Sequence, residues 1–151
     1  MRIHIGSDHA GLELKAALVA YLEHKGHQVT DHGPHEYDAV DDYPDFCIPA
    51  AIAAVADPAS LGIVLGGSGN GEQIAANKVK GVRAVLAWSV ETAKLGRDHN
   101  NANVVGIGGR MHSIDDCKAI IDAFIETPFS NDERHVRRIN KIAKFENEGK
   151  L

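Results

Sequence analysis

Short apolar runs alternate with longer segments of helical period along the chain, and this alternation constrains the fold more than any other feature. The pattern is typical of repeated strand–helix–strand units whose strands form one parallel sheet. The predicted strands are Arg2 to Ile5, Gln28 to Asp31, Leu61 to Leu65, Arg83 to Trp88 and Val104 to Ile107. We therefore expect an α/β fold with a parallel sheet of about five strands.

Helices are predicted between these strands and after the last one. The predicted segments surround Leu14 to Leu22, which Gly26 ends, and then cover Pro44 to Val55, Glu72 to Val79, Ser89 to Leu95 and Ile114 to Ile125. A charged segment, Asn131 to Glu148, also carries apolar residues at helical spacing. A helix of that length is not stable alone. We expect this additional C-terminal helix to pack on the same domain or on a neighbouring subunit.

Composition limits the classes of protein that the chain can belong to. Its 151 residues, 44% of them hydrophobic, suffice for one core, so we expect a single domain over residues 1–151. A net charge of −5 with scattered Lys and Arg argues against nucleic-acid binding. No apolar run reaches the roughly 20 residues that span a membrane, and we expect a cytoplasmic protein. Cys47 and Cys117 lack close spacing and are expected to be buried free thiols.

A glycine-rich loop, Gly66 to Gly71, follows the third predicted strand. Ligands of parallel sheets bind beyond the carboxyl ends of the strands, where Gly6 to His9 and Gly106 to Arg110 also fall. We expect the three segments to converge on one cleft, with loop N–H groups facing an anion. Two nucleotide-binding motifs do not fit this loop. A P-loop would need Gly-Lys-Ser/Thr after it, and the dinucleotide motif G-x-G-x-x-G would need a glycine at position 72. A plain strand-to-helix turn is the alternative interpretation.

Glu72 follows this loop directly and is the first candidate for catalysis. A carboxylate beside unobstructed backbone amides suits proton transfer next to a developing oxyanion. Moving a hydrogen between C1 and C2 of a sugar passes through an enediolate, an intermediate that carries such an oxyanion. The alternative is that Glu72 only interacts with the helix dipole, which contributes about 0.3–1 kcal/mol.

Basic residues near the same strand ends and in the last helix suggest an anionic substrate. Arg110 follows two glycines, and Arg134 and Arg138 are spaced i, i+4 so that both can hold one phosphate. A solvated helix face would carry the same arginines. His99 and Asn100 lie at the end of a predicted helix. They either belong to the binding site or only cap the helix.

One further histidine pair raises the possibility of a metal site. His32 and His35 could chelate a metal, but with no further ligands nearby a plain loop is the favoured interpretation.

Ordered motifs across the chain resemble the type B ribose-5-phosphate isomerases and their hexose-phosphate relatives, from about residue 2 to residue 140. The motifs are Gly6-Ser7-Asp8-His9-Ala10-Gly11, Asp42-Tyr43-Pro44-Asp45, Gly66 to Glu72 with Ala75-Ala76-Asn77-Lys78, His99-Asn100 with Ala102-Asn103, and Gly108-Gly109-Arg110. The resemblance implies a Rossmann-like three-layer α/β/α sandwich and no metal or other cofactor. It also implies a homodimer or dimer of dimers with interfacial active sites.

The resemblance also assigns roles to individual residues. Many members carry a cysteine base immediately before Gly67, but this chain has Gly66 there, as in the subgroup whose base is the glutamate, here Glu72. The family pattern implies that Ser68 and the amides of Gly67, Gly69, Asn70 and Gly71 stabilise the enediolate. His99 or Asp8 would assist ring opening. His9, Arg110, Arg134 and Arg138 would hold phosphate, and Tyr43 and Asn100 would contact the sugar.

These observations predict an aldose–ketose isomerase that interconverts ribose 5-phosphate and ribulose 5-phosphate. A hexose 6-phosphate isomerase of allose or galactose type is the alternative among enzymes. A nonenzymatic nucleotide- or flavin-binding module is the alternative from another class.

Overall fold

A computed structural model describes residues 1–151 and contains one five-stranded sheet. The strands are β1 (Arg2–Ser7), β2 (Gln28–Asp31), β3 (Ser60–Gly66), β4 (Ala84–Leu86) and β5 (Val104–Gly108). They pair in the order β2-β1-β3-β5-β4, and every pair is parallel. The predicted α/β class and strand number are thus confirmed.

Six α-helices connect or follow the strands. They are α1 (Leu12–His24), α2 (Pro44–Ala56), α3 (Asn70–Ala76), α4 (Val90–Asn100), α5 (Ile114–Glu126) and α6 (Glu133–Glu148). A single 3₁₀ turn, His9–Gly11, precedes α1. Each predicted helix is present with shifted ends.

The shifted ends have local causes. β4 is shorter than predicted because the N–H groups of Trp88 and Ser89 donate to the Thr92 hydroxyl, which caps α4 instead of extending the strand. α4 continues beyond Leu95 until Asn101, whose left-handed φ of 44° ends it. The cap at Thr92 and the left-handed residue Asn101 are local effects that the spacing of hydrophobic residues cannot predict.

Two helical layers cover the sheet. Ile5, Ile63 and Ile107 point to one face, where they pack in a buried cluster with Leu18 of α1 and Phe124 of α5. Cys47, Ala54 and Val104 belong to a separate cluster on the other face, under α2 and α3. Gly62 faces this second layer, where an added Cβ would lie 3.2 Å from Ala54 Cβ. The chain therefore has the predicted Rossmann-like three-layer architecture.

The strand order brings the functional loops together. β1 lies between β2 and β3, so the connection after β1 runs to one side of it and the connection from β2 to β3 crosses to its other side. A change of direction of this kind creates the cleft in which such sheets bind ligands. β5 lies next to β3, and the N–H groups of Gly109 and Arg110 donate to the carbonyls of Gly66 (2.8 Å) and Gly67 (3.1 Å). The predicted convergence of the three segments is confirmed.

The last helix is the least buried element. The His135 ring packs on His99 of α4 with centroids 4.4 Å apart, and the carboxylate of Glu146 accepts from the Gly81 N–H. Ile142 and Phe145, in contrast, are each 56% exposed. α6 thus contacts its own domain but leaves apolar side chains uncovered.

Both cysteines are buried and free, as predicted. Burial raises the pKa of Cys117 to about 11. No helix has the combination of length and hydropathy needed to cross a bilayer.

Candidate active site

An open cavity of about 500 Å³ lies where β1, β3 and β5 end. Its lining contains most of the predicted site residues, namely Asp8, His9, Tyr43, Gly67, Ser68, Gly71, Glu72 and Arg110. Ala10 and Met111 also line it and were not predicted. Ala10 lies inside a quoted motif, whereas no sequence signal distinguishes Met111 from other exposed apolar residues.

The glycine loop takes its shape from contacts that a side chain would prevent. Gly69 has a φ of 81°, and an added Cβ would lie 2.9 Å from the carbonyl carbon of Ile107. The ring of Tyr43 packs on Gly71, where a Cβ would lie 2.7 Å from Cζ. Gly69 and the exposed Asn70 do not line the cavity themselves, although Asn70 donates to the Ser68 hydroxyl at 3.3 Å. The loop is therefore shaped by close backbone approach.

Glu72 is buried at the base of the cavity, with 4% of its surface exposed. Its carboxylate occupies the space beside Gly66, where an added Cβ would lie 1.7 Å from Oε1. Oε2 is buried and has no hydrogen-bond partner in the protein. A glutamate that merely complemented a helix dipole would not need this burial, so the arrangement favours a chemical role.

The surroundings of Glu72 raise its pKa. Burial is the largest cause, and the charge of Asp8 acts in the same direction, while the backbone amides of Glu72 and Gly69 oppose it. A carboxylate that binds a proton more readily than usual is better matched to general-base catalysis near neutral pH. Perturbed carboxyl groups in clefts are frequent markers of active sites.

Two polar groups beside Glu72 have structural partners. Asp8 is buried, and its Oδ1 accepts from the N–H groups of Ala10 (2.9 Å) and Gly11 (3.2 Å). Beneath them, burial and the charges of Glu72 and Asp8 raise the pKa of Cys47, whose thiol donates to the Gly6 carbonyl at 3.8 Å. Cys47 is therefore a neutral packing residue and is not poised as a nucleophile.

The rim of the cavity carries two basic side chains. Arg110 is exposed, crosses Gly67 and forms no ion pair within the chain; a Cβ on Gly67 would lie 3.6 Å from its Nη1. His9 donates from Nδ1 to Asp41 Oδ1 at 2.6 Å. Asp41 is a further residue that the sequence did not single out, although it immediately precedes the Asp42-Tyr43-Pro44 motif. The chain thus places the Arg110 guanidinium and the His9 ring together at the rim of the cavity.

Besides Gly69 and Asn70, four predicted site residues lie outside this cavity. His99 and Asn100 are at the end of α4, and Arg134 and Arg138 are on α6. α4 runs antiparallel to the strands, so its end lies near their amino ends; Arg83, at the start of β4, donates to the Asn100 carbonyl there. A single chain therefore does not bring these four residues to the cavity.

A depression of about 480 Å³ near the amino ends of the strands contains Arg83 and Arg97. Both arginines donate to main-chain carbonyls after α4, including those of Asn101 and Ala102, so their guanidinium groups satisfy a helix end. This depression lacks the convergent acid and base groups found in the cavity beside Glu72.

The histidines considered for a metal do not form a ligand cluster. His32 Nε2 lies 3.1 Å from His4 Nδ1, while His35 is on the surface near Asp31. No three His, Cys, Asp or Glu side chains are arranged to hold a metal ion.

Comparisons with known proteins match nearly the whole chain. A family described as ribose/galactose isomerase matches residues 3–142. Ribose-5-phosphate isomerase B of Mycolicibacterium paratuberculosis is 64% identical over 146 residues, covering 97% of this chain and 92% of the relative. A galactose-6-phosphate isomerase subunit of Clostridium acetobutylicum is 40% identical, covering 85% of this chain and 74% of the relative.

Solved structures resemble the fold equally closely. The crystal structure of ribose-5-phosphate isomerase B from Mycoplasma genitalium, with bound ribulose-5-phosphate, superposes with a TM-score of 0.94. Its sequence is 43% identical, and the match covers 97% of each chain.

Proposed function

The chain belongs to the ribose/galactose isomerase family, and from that premise we propose that it interconverts ribose 5-phosphate and ribulose 5-phosphate with Glu72 as the base. The observation that carries the proposal is a buried carboxylate of raised pKa in the same cavity as Arg110 and His9. The names of the most similar relatives agree with this substrate.

The proposed reaction moves one proton between two carbons. After the ring opens, the Glu72 carboxylate removes the proton from C2 of the aldehyde, and the electron pair moves to the carbonyl oxygen to form an enediolate. The proton on O2 then passes to O1, and return of the carbon-bound proton from Glu72 to C1 gives the ketone with Glu72 again ionised. Ser68 and the amides of Gly67, Gly69, Asn70 and Gly71 are proposed to stabilise the intermediate charge. Asp8 or His99 is proposed to assist ring opening.

The substrate's phosphate is proposed to bind near Arg110 and His9, with Arg134 and Arg138 of a second subunit completing its site. The support is geometric, since α6 and the end of α4 lie at the opposite edge of the sheet from the cavity. A twofold dimer can place that edge of one protomer against the cavity of the other. The exposed Ile142 and Phe145 of α6 are apolar surface that such an interface would cover. Tyr43 and the second subunit's Asn100 are proposed to contact the sugar.

The galactose-6-phosphate relative makes a hexose 6-phosphate the second candidate substrate. The higher identity to ribose-5-phosphate isomerase B favours the pentose. Ratios of kcat/KM on ribose 5-phosphate, allose 6-phosphate and galactose 6-phosphate would decide between them. A higher ratio for either hexose phosphate would refute the pentose assignment. We also propose that the enzyme acts in the cytoplasm, because sugar phosphates are charged and are retained there.

Substitution of the base tests the mechanism. Glu72→Gln keeps the shape of the side chain but removes its basicity, so kcat should fall by about 10²–10⁴-fold with KM nearly unchanged. Glu91→Gln is the matched control, because Glu91 also lies in the first turn of a helix but is exposed and does not line the cavity. A Glu72→Gln enzyme with a near-normal kcat would rule out the proposed base.

A further inference from the structure

Asp41, in the loop before α2, holds the ring of His9. This loop, residues 32–43, connects β2 to α2 and has no regular secondary structure. Asp41 Oδ1 accepts from both the backbone N–H of His9 (3.0 Å) and its Nδ1 (2.6 Å). Only 8% of the Asp41 side chain is exposed, and Oδ2 has no hydrogen-bond partner in the protein.

The contact determines which ring nitrogen of His9 is available to a ligand. A carboxylate accepting from Nδ1 keeps the proton on that nitrogen and fixes the plane of the imidazole. Nε2 is then the nitrogen left for the cavity that His9 lines. The ring of Tyr37, from the same loop, packs edge-on against His9 with centroids 5.9 Å apart. The imidazole is therefore held from two sides by one loop.

We propose that Asp41 is a positioning residue for substrate binding, which holds the Nδ1–H of His9 so that Nε2, protonated in the imidazolium form, donates to the phosphate of the sugar. The inference rests on the proposed function, because it takes the cavity to be the sugar-phosphate site. Asp41 acts through His9 and does not itself touch the substrate. The neighbouring Asp38 differs, since its carboxylate is exposed and accepts from the N–H of Val40 in its own loop.

The Asp41→Asn variant separates ring positioning from loop anchoring. Its amide oxygen can still accept from the His9 N–H, so the loop keeps its backbone link, but the charged partner of Nδ1 is lost. KM for ribose 5-phosphate should rise on the order of tenfold, with kcat within about twofold of wild type. Asp38→Asn, the matched control in the same loop, should leave both constants unchanged.

A double-mutant cycle tests whether Asp41 acts through His9. In a His9→Asn background, the additional Asp41→Asn change should alter KM by less than about twofold, because the ring it positions is absent. A tenfold rise in that background would overturn the proposal. Long-range ¹H–¹⁵N spectra of the wild type should show the proton on Nδ1 of His9, and a spectrum with Nδ1 unprotonated would also overturn it.

Failure of the proposed function and failure of the proposed role of Asp41 give different results. If the wild type does not turn over ribose 5-phosphate, the proposed function fails. If the wild type is active and Asp41→Asn has a normal KM, only the positioning role of Asp41 fails.

Discussion

Replacement of Gly66 by alanine should inactivate the enzyme while leaving its fold intact. The added Cβ would lie 1.7 Å from Oε1 and 2.2 Å from Cδ of Glu72. Nonbonded atoms do not approach a Cβ closer than 3.0 Å, so the carboxylate must move by about 1.3 Å, the difference between 3.0 Å and 1.7 Å. The atoms it meets are the end of a flexible side chain facing a cavity, so the chain can fold around the change.

The size of the effect follows from this displacement. A misplacement of about 1 Å at a reacting group can cost about 10²-fold in rate, which corresponds to about 2.7 kcal/mol of activation free energy. We therefore expect kcat to fall by about 100-fold or more. KM should change little, because Arg110 and His9 are untouched.

Steady-state kinetics and thermal unfolding together provide the assay. Gly62→Ala is the matched control on the same strand and sheet face, where the Cβ would lie 2.9 Å from Val104 Cγ2 in the core. It should lower the free energy of unfolding and leave kcat per folded molecule unchanged. If Gly66→Ala acts through Glu72, it should cost little further activity in the Glu72→Gln background. A folded Gly66→Ala enzyme with kcat within threefold of wild type would refute the reasoning.

Five further predictions concern stability, pH, the second subunit and phosphate binding. Glu72→Gln should raise Tm at neutral pH, because a buried carboxyl whose pKa is raised destabilises the fold once it ionises. The difference in Tm between the variant and the wild type should vanish below the pKa of the unfolded carboxyl. A lower Tm for the variant at neutral pH would contradict this. For the same reason, the acidic limb of kcat/KM should lie at higher pH than an ordinary glutamate would give, and this limb should be absent in Glu72→Gln. Lys15→Ala should lower the free energy of unfolding by about 3 kcal/mol, because the buried ammonium pairs with Asp31 at 2.6 Å and donates to the Pro34 carbonyl at 2.5 Å; denaturant unfolding that shows less than 1 kcal/mol would count against it. Where His99→Asn is inactive alone, mixing it with Glu72→Gln subunits should restore about a quarter of wild-type activity, since half of randomly exchanged dimers carry one intact site. No recovery after confirmed subunit exchange would argue against shared sites. Arg138→Ala should chiefly raise KM, with a normal KM excluding its phosphate role.

Several features of the site could be predicted because they are local in sequence. The glycine loop and Glu72 are adjacent in the chain, and the carboxyl ends of parallel strands meet at one edge of a sheet. The positions of Asp8 and Arg110 follow from the same rule. Asp41 could not be found in this way, because its partner His9 is 32 residues away and the contact depends on the path of an irregular loop.

Hydrophobic period alone determined the α/β class, the five parallel strands and the order of the helices, since each strand and helix buries a face whose spacing is set by backbone geometry. Only the tertiary structure decided that the Glu72 carboxylate occupies the space that a side chain at position 66 would need. It also decided that His99 and Arg138 lie at the opposite edge from the cavity. These relations arise from atoms packed together by the folded sheet, so no local pattern of residues encodes them.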